Sequence, residues 1–544
     1  MPRLPPPVYV AGVGACCAVL AACSGAPAPA TGVQPVAAPV APAPAPPSSA
    51  APLPPIPSVR GPLSISVVYP KAGSAVMVRD TNFIFGSVGT GDATLTINGT
   101  PVAVEPNGAF LGWLPVPDSV TSRYDLVAAR GADTVRYSHL ITFPPKRASA
   151  DSADSAALRQ PFPDSGRWVA LHADDGETLP DTDESVKGRP TPGGTYKWFL
   201  FPGTVVQVTG RSASGYLRVR LDSLLDVWVL ASAVRPTWAG AEPPAPVPHR
   251  VVGSARVSPA PGYVDVVLPV GERPPYLVEE SGDDLVVTLY ATQASTDVIQ
   301  YDTEDSLVRT VTWEPLTNDR ARFTVHLNRP PSGYLVWWDE AGRRFVLRVR
   351  RPPVVDPSAP LRGRVIVIDA GHPPIGATGP TGLWEPVATL AVAQLVEQAL
   401  TARGARVVMT RTTPDPVGLS IRPVIARRAN GDAFVSIHLN ALPDGINPFL
   451  ANGSGTYFFQ PQSVALARDI QSGLVRRMGL RDRGIFYDNL AVARQTWMPA
   501  VLCEGAFIII PAQEAALRTT AFQQAYADGI VDGLEGYFRS LAAP

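Results

Sequence analysis

Short apolar runs separated by polar breaks dominate the last third of the chain. In three segments a short apolar run is followed by Gly or a polar residue: Val365-Ile-Val-Ile-Asp-Ala-Gly-His372, Asp432-Ala-Phe-Val-Ser-Ile-His438-Leu-Asn440 and Pro499-Ala-Val-Leu-Cys-Glu504-Gly-Ala-Phe507. Short runs rich in β-branched residues are typical of buried strands in a mostly parallel sheet. The pattern therefore predicts a three-layer α/β domain over residues 361–544.

A longer apolar pattern lies between the first two runs and predicts a helix. It opens with Glu385 and Pro386 and continues to about Arg403, before Gly404. Pro favours the first turn of a helix and Gly its end. The spacing predicts that one face turns to the sheet, formed by Val387, Leu390, Ala391 and Leu395.

Three segments upstream alternate apolar and polar residues, which predicts small all-β domains. Residues 61–145 carry the turn signals Asn98-Gly99 and Asn107-Gly108, and we expect an immunoglobulin-like sandwich there. Residues 166–240 have the strand spacing of an SH3-like barrel, and residues 249–352 form a third β segment. Pro-rich or polar linkers separate these segments, so the chain is expected to be multidomain.

The N-terminus predicts an export signal followed by a tether. Arg3 precedes an apolar run that ends Leu20-Ala21-Ala22-Cys23-Ser24, which is similar to the bacterial lipoprotein cleavage box. Residues 1–23 would then be a signal peptide with lipidation at Cys23; the alternative is an ordinary cleaved signal with an incidental cysteine. Residues 24–60 are rich in Ala and Pro and predict a semi-rigid linker. Ser24 is compatible with outer-membrane sorting in a Gram-negative cell.

Net charge and cysteine content argue against two classes of protein, nucleic-acid-binding proteins and small disulfide scaffolds. The net charge is -1 and no basic cluster stands out, so we expect no nucleic-acid partner. Of the four cysteines, Cys16 and Cys17 would leave with the signal, and Cys503 would be the one thiol beside Cys23. Disulfide scaffolds are thereby excluded.

Residues that could bind a metal or carry a proton lie at the ends of the predicted strands. Ligands bind outside the carboxyl ends of strands in open α/β sheets, and His372, His438 and Glu504 all fall at such ends. A single strand-end histidine is usually structural, and capping alone would explain Glu385 at a helix start. Taken alone, these residues leave both alternatives open, structural roles and a metal site.

The same residues carry a family resemblance. Residues 363–541, about a third of the chain, resemble the zinc-dependent N-acetylmuramoyl-L-alanine amidases of the Amidase_3 type. The pieces that match are Ile-Asp-Ala-Gly-His372, Gly-Ala-Thr-Gly-Pro-Thr-Gly-Leu-Trp-Glu385, Ser-Ile-His438-Leu-Asn-Ala, Arg483-Gly-Ile and Pro-Ala-Val-Leu-Cys-Glu504-Gly-Ala-Phe. The resemblance implies Zn²⁺ bound by His372, Glu385 and His438, with Glu504 as the catalytic acid and base. No substrate-binding residue could be assigned.

The resemblance also implies a substrate and a place in the cell. It predicts a peptidoglycan hydrolase that cuts between N-acetylmuramic acid and L-alanine, in the cell envelope or periplasm. The lipoprotein-type N-terminus adds attachment to the membrane through the lipid on Cys23. By position, residues 249–352 resemble the AMIN-type envelope-targeting domains. The three β segments serve either as spacers or in binding envelope or division partners.

Some residues depart from the family pattern. Pro373-Pro374 replace the usual Gly-Gly, and Thr389 stands where Asn is common. The stretch from Ala441 to Gly455 is short and rich in Pro, Gly and Asn, which predicts a loop. Two rival functions stay open: another zinc peptidoglycan peptidase, and a non-catalytic cell-wall-binding or regulatory protein on an amidase scaffold.

Overall fold

The computed structural model describes residues 53–118, 122–144, 166–173, 185–234 and 248–542. The predicted signal peptide, its Cys23 and the predicted linker up to residue 52 lie outside the described residues. The same is true of residues 146–165 and of the residues that join the second and third β segments.

The first β unit, residues 61–144, consists of two antiparallel sheets around a shared apolar core. The hairpin turn predicted at Asn98-Gly99 is present, with φ of 49° and 77° at its two residues. One sheet contains β1 (Ser66–Tyr69), β2 (Thr81–Ser87) and β5 (Ala109–Pro115). The other contains β3 (Thr94–Ile97), β4 (Thr100–Val102), β6 (Arg123–Arg130) and β7 (Asp133–Leu140).

The second β unit, residues 166–234, has its own core and is built around a sheet in the order β13-β12-β11-β8. Its strands are β8 (Trp168–Ala170), β9 (Val186–Gly188), β10 (Trp198–Leu200), β11 (Val205–Arg211), β12 (Tyr216–Asp222) and β13 (Leu225–Leu230).

The third β unit, residues 248–352, packs a sheet of order β20-β15-β16-β24-β23 with one of order β17-β18-β22-β21. The expectation of several β-rich units before an α/β domain is confirmed, whereas the immunoglobulin-like, SH3-like and AMIN-type assignments stay predictions. The strands are β14 (Val251–Val252), β15 (Ala255–Ala260), β16 (Tyr263–Pro269), β17 (Tyr276–Ser281), β18 (Asp284–Tyr290), β19 (Gln293–Ala294), β20 (Ile299–Tyr301), β21 (Val308–Thr317), β22 (Arg320–Leu327), β23 (Gly333–Asp339) and β24 (Arg344–Arg350).

The C-terminal domain is α/β with a mixed sheet of order β26-β25-β27-β30-β28-β29. β28 runs antiparallel to β30, and the other pairings are parallel. The strands are β25 (Val365–Ala370), β26 (Arg406–Met409), β27 (Ala433–Asn440), β28 (Ser454–Phe458), β29 (Asp482–Tyr487) and β30 (Ala500–Phe507). The helices are α1 (Glu385–Ala402), α2 (Ile421–Arg428), α3 (Val464–Met478), α4 (Pro511–Leu517) and α5 (Thr520–Leu541).

The two faces of this sheet are covered differently. On one face α1, α3 and α5 bury a large apolar core. On the other, Val367, Phe434 and Leu502 pack with α2 and with the segment that precedes β30. The three apolar runs of the sequence are central strands β25, β27 and β30, so their carboxyl ends meet at one edge. Among the described residues, no helix combines the length and apolarity needed to cross a membrane.

The predicted inward face of α1 is correct only in part: Leu390 and Leu395 are partly buried against the core, whereas Val387 does not face it. Val387 is 57% exposed, while the buried positions are Glu385, Pro386, Ala388, Thr389, Val392, Ala393, Val396 and Leu400. Because the helix is apolar on several sides, periodicity does not fix its rotation. Small residues allow close packing against the sheet, and Glu385 and Thr389 turn toward the strand ends.

Candidate metal centre

Three side chains from separate elements gather at the carboxyl edge of the sheet. His372 follows β25, Glu385 begins α1 and His438 lies in β27. One ligand atom from each lies within 4.8 Å of the others. His372 Nε2 is 3.2 Å from Glu385 Oε2, and His438 Nδ1 is 3.2 Å from Glu385 Oε1. The three residues predicted as metal ligands are thus brought together.

Backbone groups hold the Glu385 carboxylate in place. Leu439 N–H donates to its Oε1 at 3.0 Å and Ala377 N–H to its Oε2 at 2.9 Å. Burial by itself raises the pKa of this carboxyl, but hydrogen bonds with the two histidines lower the pKa below its usual range. No side chain caps the helix at Trp384. The carboxylate therefore points at the histidines and is not used as a helix cap.

Glu504 lies on the strand beside His438. The two residues are register partners in the parallel pair β27 and β30, so their side chains share one face of the sheet. Glu504 is 4% exposed and lines the same cavity as the three candidate ligands. Cys503 faces the opposite way into the helix-covered core, and burial raises the pKa of its thiol. Cys503 is therefore a core residue and not a candidate ligand.

A buried ion pair supports the chain around His372. Arg422 Nη1 lies 2.7 Å from Asp369 Oδ1, and both side chains are almost fully buried. The same guanidinium donates to the His372 carbonyl at 3.0 Å. His372 has a φ of 58°, a conformation that costs a non-glycine residue energy. The carbonyl contact of Arg422 therefore stabilises the backbone from which a candidate ligand projects.

A second arginine ties the start of α1 to the end of β25. Arg411 donates to the carbonyls of Gly371 and Pro386 at 3.0 and 2.8 Å. Thr389 also donates to Gly371 O, at 2.9 Å. Thr389, which departs from the family pattern, thus has a hydrogen-bonding role at the site. Sequence reasoning missed both arginines, because six arginines lie between the first two predicted strands and no local pattern distinguishes Arg411 and Arg422 from the others.

Tyr526 joins the two strands that carry His438 and Glu504. Its hydroxyl lies 3.1 Å from His438 O and 3.0 Å from Cys503 O, and accepts from Gly505 N–H at 3.1 Å. A Cβ at Gly505 would be 2.2 Å from the Tyr526 ring, so only glycine admits this approach. The sequence carries no local signal for Tyr526, which comes from α5.

The site opens into a cavity with mostly apolar walls. Arg422 and Asp369 lie at its floor beside the candidate ligands. The walls are formed by Pro373, Pro374, Ile375, Val417, Leu419, Leu490, Ala491 and Val492. Pro373 and Pro374, which replace the glycines of the family pattern, therefore shape the wall beside His372.

The donor set suits zinc. Two imidazole nitrogens and one carboxylate are a ligand set that catalytic zinc takes, with a further position left for water or substrate. One donor atom from each of the three residues lies within 4.8 Å of the others, so a single ion could be reached by all three. The backbone donors on Glu385 are outer contacts of the kind that orient metal ligands.

The C-terminal domain is similar in sequence to known proteins. The Amidase_3 family profile, described as N-acetylmuramoyl-L-alanine amidase, matches residues 366–536. The chain is also 36% identical over 192 residues to YqiI of Bacillus subtilis, a match that covers 34% of this chain and 90% of YqiI. The chain belongs to the N-acetylmuramoyl-L-alanine amidase family. Its C-terminal domain is called the amidase domain below.

Other relatives match the amidase domain over a similar length. The probable cell wall amidase LytH of Staphylococcus epidermidis is 36% identical over 187 residues, which is 34% of this chain and 61% of LytH. The chain thus matches about three fifths of that relative. Among solved structures, the catalytic domain of the amidase CwlV from Bacillus (Paenibacillus) polymyxa is 37% identical, with a TM-score of 0.30. The match covers 31% of this chain and 95% of the CwlV domain.

Proposed function

We propose that the protein is a zinc-dependent amidase that hydrolyses the bond between N-acetylmuramic acid and L-alanine in peptidoglycan. One observation carries the proposal: His372, Glu385 and His438 meet within 4.8 Å of one another, with Glu504 on the adjacent strand. The membership of this domain in the amidase family supports the choice of bond.

In this proposal the two histidines and Glu385 hold the metal. When bound, zinc supplies Lewis-acid activation of water and of the scissile carbonyl. Glu385 is already oriented by two backbone N–H groups and by the histidines. Little reorganisation of the protein is then needed for binding.

In this proposal Glu504 transfers a proton from the attacking water to the leaving nitrogen. Its carboxylate accepts a proton from the attacking water as the water oxygen bonds to the lactyl carbonyl carbon. The carbon–nitrogen bond then breaks, and Glu504 delivers the proton to the leaving L-alanine nitrogen. The products are the muramic acid carboxylate and a stem peptide with a free amino terminus.

The cavity walls favour this chemistry. Apolar residues such as Pro373, Leu419 and Val492 line the site and restrict water around the charged groups. Electrostatic interactions are stronger in such surroundings than in bulk water. A buried Glu504 beside a bound metal can therefore act as both base and acid.

The place of action is also a proposal. The Leu-Ala-Ala-Cys23 sequence supports export and lipid attachment at Cys23. The lipid and the Ala/Pro-rich stretch after it would hold the amidase at the membrane while it reaches the wall in the cell envelope or periplasm. Ser24 is compatible with sorting to the outer membrane in a Gram-negative cell. The β units would add contacts with envelope or division partners.

Digestion of purified peptidoglycan tests the activity. The full-length protein is incubated with sacculi, with and without a chelator, and the products are identified by mass spectrometry. Free stem peptides that begin with L-alanine, lost on chelation and restored by Zn²⁺, are expected. Cleavage inside the stem would support the rival peptidase. No release of any product, with zinc bound, would support the non-catalytic rival.

A further inference from the structure

The segment that follows His438 forms one side of the cavity and is held from outside the amidase domain. Residues 441–453 connect β27 to β28 without a helix, as the sequence predicted. Ala441 lines the cavity and Leu442 is buried in the core. Asp444 follows His438 closely in the chain, so the position of Asp444 constrains the intervening wall.

Asp444 is bound by the first β unit. Its carboxylate accepts hydrogen bonds from the Tyr69 hydroxyl, from Met77 N–H at 2.8 Å and from Asn82 Nδ2 at 2.7 Å. Asn82 is fully buried, and its Oδ1 accepts from Gly445 N–H at 3.0 Å. Hydrogen bonds to a carboxylate are stronger than neutral ones. Burial and the bond to Asp444 also raise the pKa of Tyr69, so its hydroxyl remains a donor.

Apolar packing accompanies these hydrogen bonds. Phe83, Phe85 and Leu111 of the first β unit belong to the same core cluster as the helix-covered face of the amidase domain. Tyr69 stacks on Phe83 with ring centroids 4.9 Å apart. A unit that acted as a tethered module would not share a core with the enzyme, because independent domains keep their apolar residues in their own cores.

A second segment of the cavity wall is also hydrogen-bonded to upstream β units. Leu490 to Val492 line the cavity. In the same segment, residues 488–499, Asn489 Nδ2 donates to Tyr196 O of the second β unit at 2.9 Å. Thr496 O accepts from Tyr334 N–H of the third unit at 2.7 Å. Both segments of the cavity wall are therefore anchored to upstream units.

We propose that Asp444 is a positioning residue through which the first β unit, by way of Tyr69 and Asn82, sets the cavity wall beside His438 for substrate. This inference rests on the proposed amidase function. The first β unit then contributes to substrate binding by fixing the position of the cavity wall. Loss of the contact should loosen residues 441–446 and impair substrate binding, while the ligand contacts of Glu385 stay intact.

Variants of the full-length protein test the proposal. Asp444→Ala is expected to raise KM for peptidoglycan about tenfold, the size expected for lost charge-assisted hydrogen bonds, with zinc per protein unchanged. Hydrogen–deuterium exchange of the peptide 439–450 should become faster. Asp133→Ala is the matched control, because Asp133 is a 72% exposed carboxylate of the same β unit. This control should change neither KM nor the exchange rate of the peptide 439–450.

A charge exchange separates positioning from general destabilisation. Asn82→Asp alone places two carboxylates side by side and should impair the enzyme as Asp444→Ala does. Asp444→Asn added to Asn82→Asp restores an amide opposite a carboxylate, although Tyr69 then loses its acceptor, and should recover part of the lost kcat/KM and of the slow exchange. Failure of the double variant to recover, or normal kinetics in Asp444→Ala, would overturn the proposal. Absence of activity in the unaltered protein would instead refute the amidase function, and the exchange rates would still test the contact.

Discussion

Gly371 lies directly against the imidazole of His438. A Cβ at position 371 would be 2.6 Å from both Cε1 and Nε2 of that ring, and equally close to Ile437 O. Real Cβ atoms do not approach other atoms so closely. The His438 ring could only turn aside from its present position, and Ile437 O belongs to the backbone of β27 and cannot move without displacing that strand. The absence of a side chain at Gly371 therefore lets two candidate ligands, His372 and His438, come from adjacent strands to one point.

Gly371→Ala is expected to weaken metal binding. The added methyl group pushes the His438 ring away from Glu385, and changes that disturb ligand orientation typically cost about 10–100-fold in metal affinity. Zinc affinity measured by competition with a chelating dye checks this. Gly262→Ala is the control, since no atom lies within 4 Å of a Cβ built there. Normal zinc affinity in Gly371→Ala would show that His438 does not hold the metal from its present position.

Glu504→Gln should abolish turnover but leave zinc bound, whereas His372→Ala and His438→Ala should lose both. Glutamine keeps the size of Glu504 and an acceptor oxygen but cannot take up a proton at neutral pH. Loss of a general base costs about 10²–10⁴ in rate. Elemental analysis of zinc per protein, beside release of dye from labelled peptidoglycan, checks the three variants. Loss of zinc in Glu504→Gln to the level of the histidine variants would make Glu504 a ligand.

Arg422→Met should destabilise the amidase domain by about 3–5 kcal/mol, because it leaves Asp369 as a buried charge without its partner. Arg422→Lys should lower the free energy of unfolding less than Arg422→Met, since lysine keeps the positive charge. It should still lower kcat, because lysine lacks the second nitrogen that donates to His372 O. Chemical denaturation and peptidoglycan turnover measure the two effects. Arg428→Met, on the exposed side of the same helix, serves as the control, and equal losses in both methionine variants would contradict the role of Arg422.

Cys23→Ser should move the protein from the membrane fraction to the soluble fraction. Only a cysteine thiol at that position can receive the lipid, and a single thiol-to-hydroxyl change leaves the apolar run of the signal unaltered. Immunoblots of fractionated cells provide the measurement. Cys17→Ser, within the same predicted signal, should remain with the membrane; an unchanged distribution of Cys23→Ser would argue against lipid attachment.

The strand ends that carry the candidate chemistry were predictable from the sequence. Short, continuous apolar runs mark central strands whatever surrounds them, because such strands are buried on both faces. Parallel strands place their carboxyl ends at one edge, so His372, His438 and Glu504 were expected at a common edge. Glu385 was assigned through family resemblance, since an acidic residue at a helix start has a simpler explanation in the sequence alone.

The tertiary structure decided what surrounds these residues. Arg422 meets Asp369 across 53 positions, Tyr526 reaches His438 across 88 and Asn82 binds Asp444 across 362. The rotation of α1 was also settled only by packing: Leu390 and Leu395 contact the core as predicted, whereas Val387 is exposed. Periodicity in a sequence reports which positions prefer burial, but it carries no record of the partner that a buried polar group finds. Those partners are fixed when distant segments pack, because each buried hydrogen-bonding group must then be satisfied by whatever lies against it.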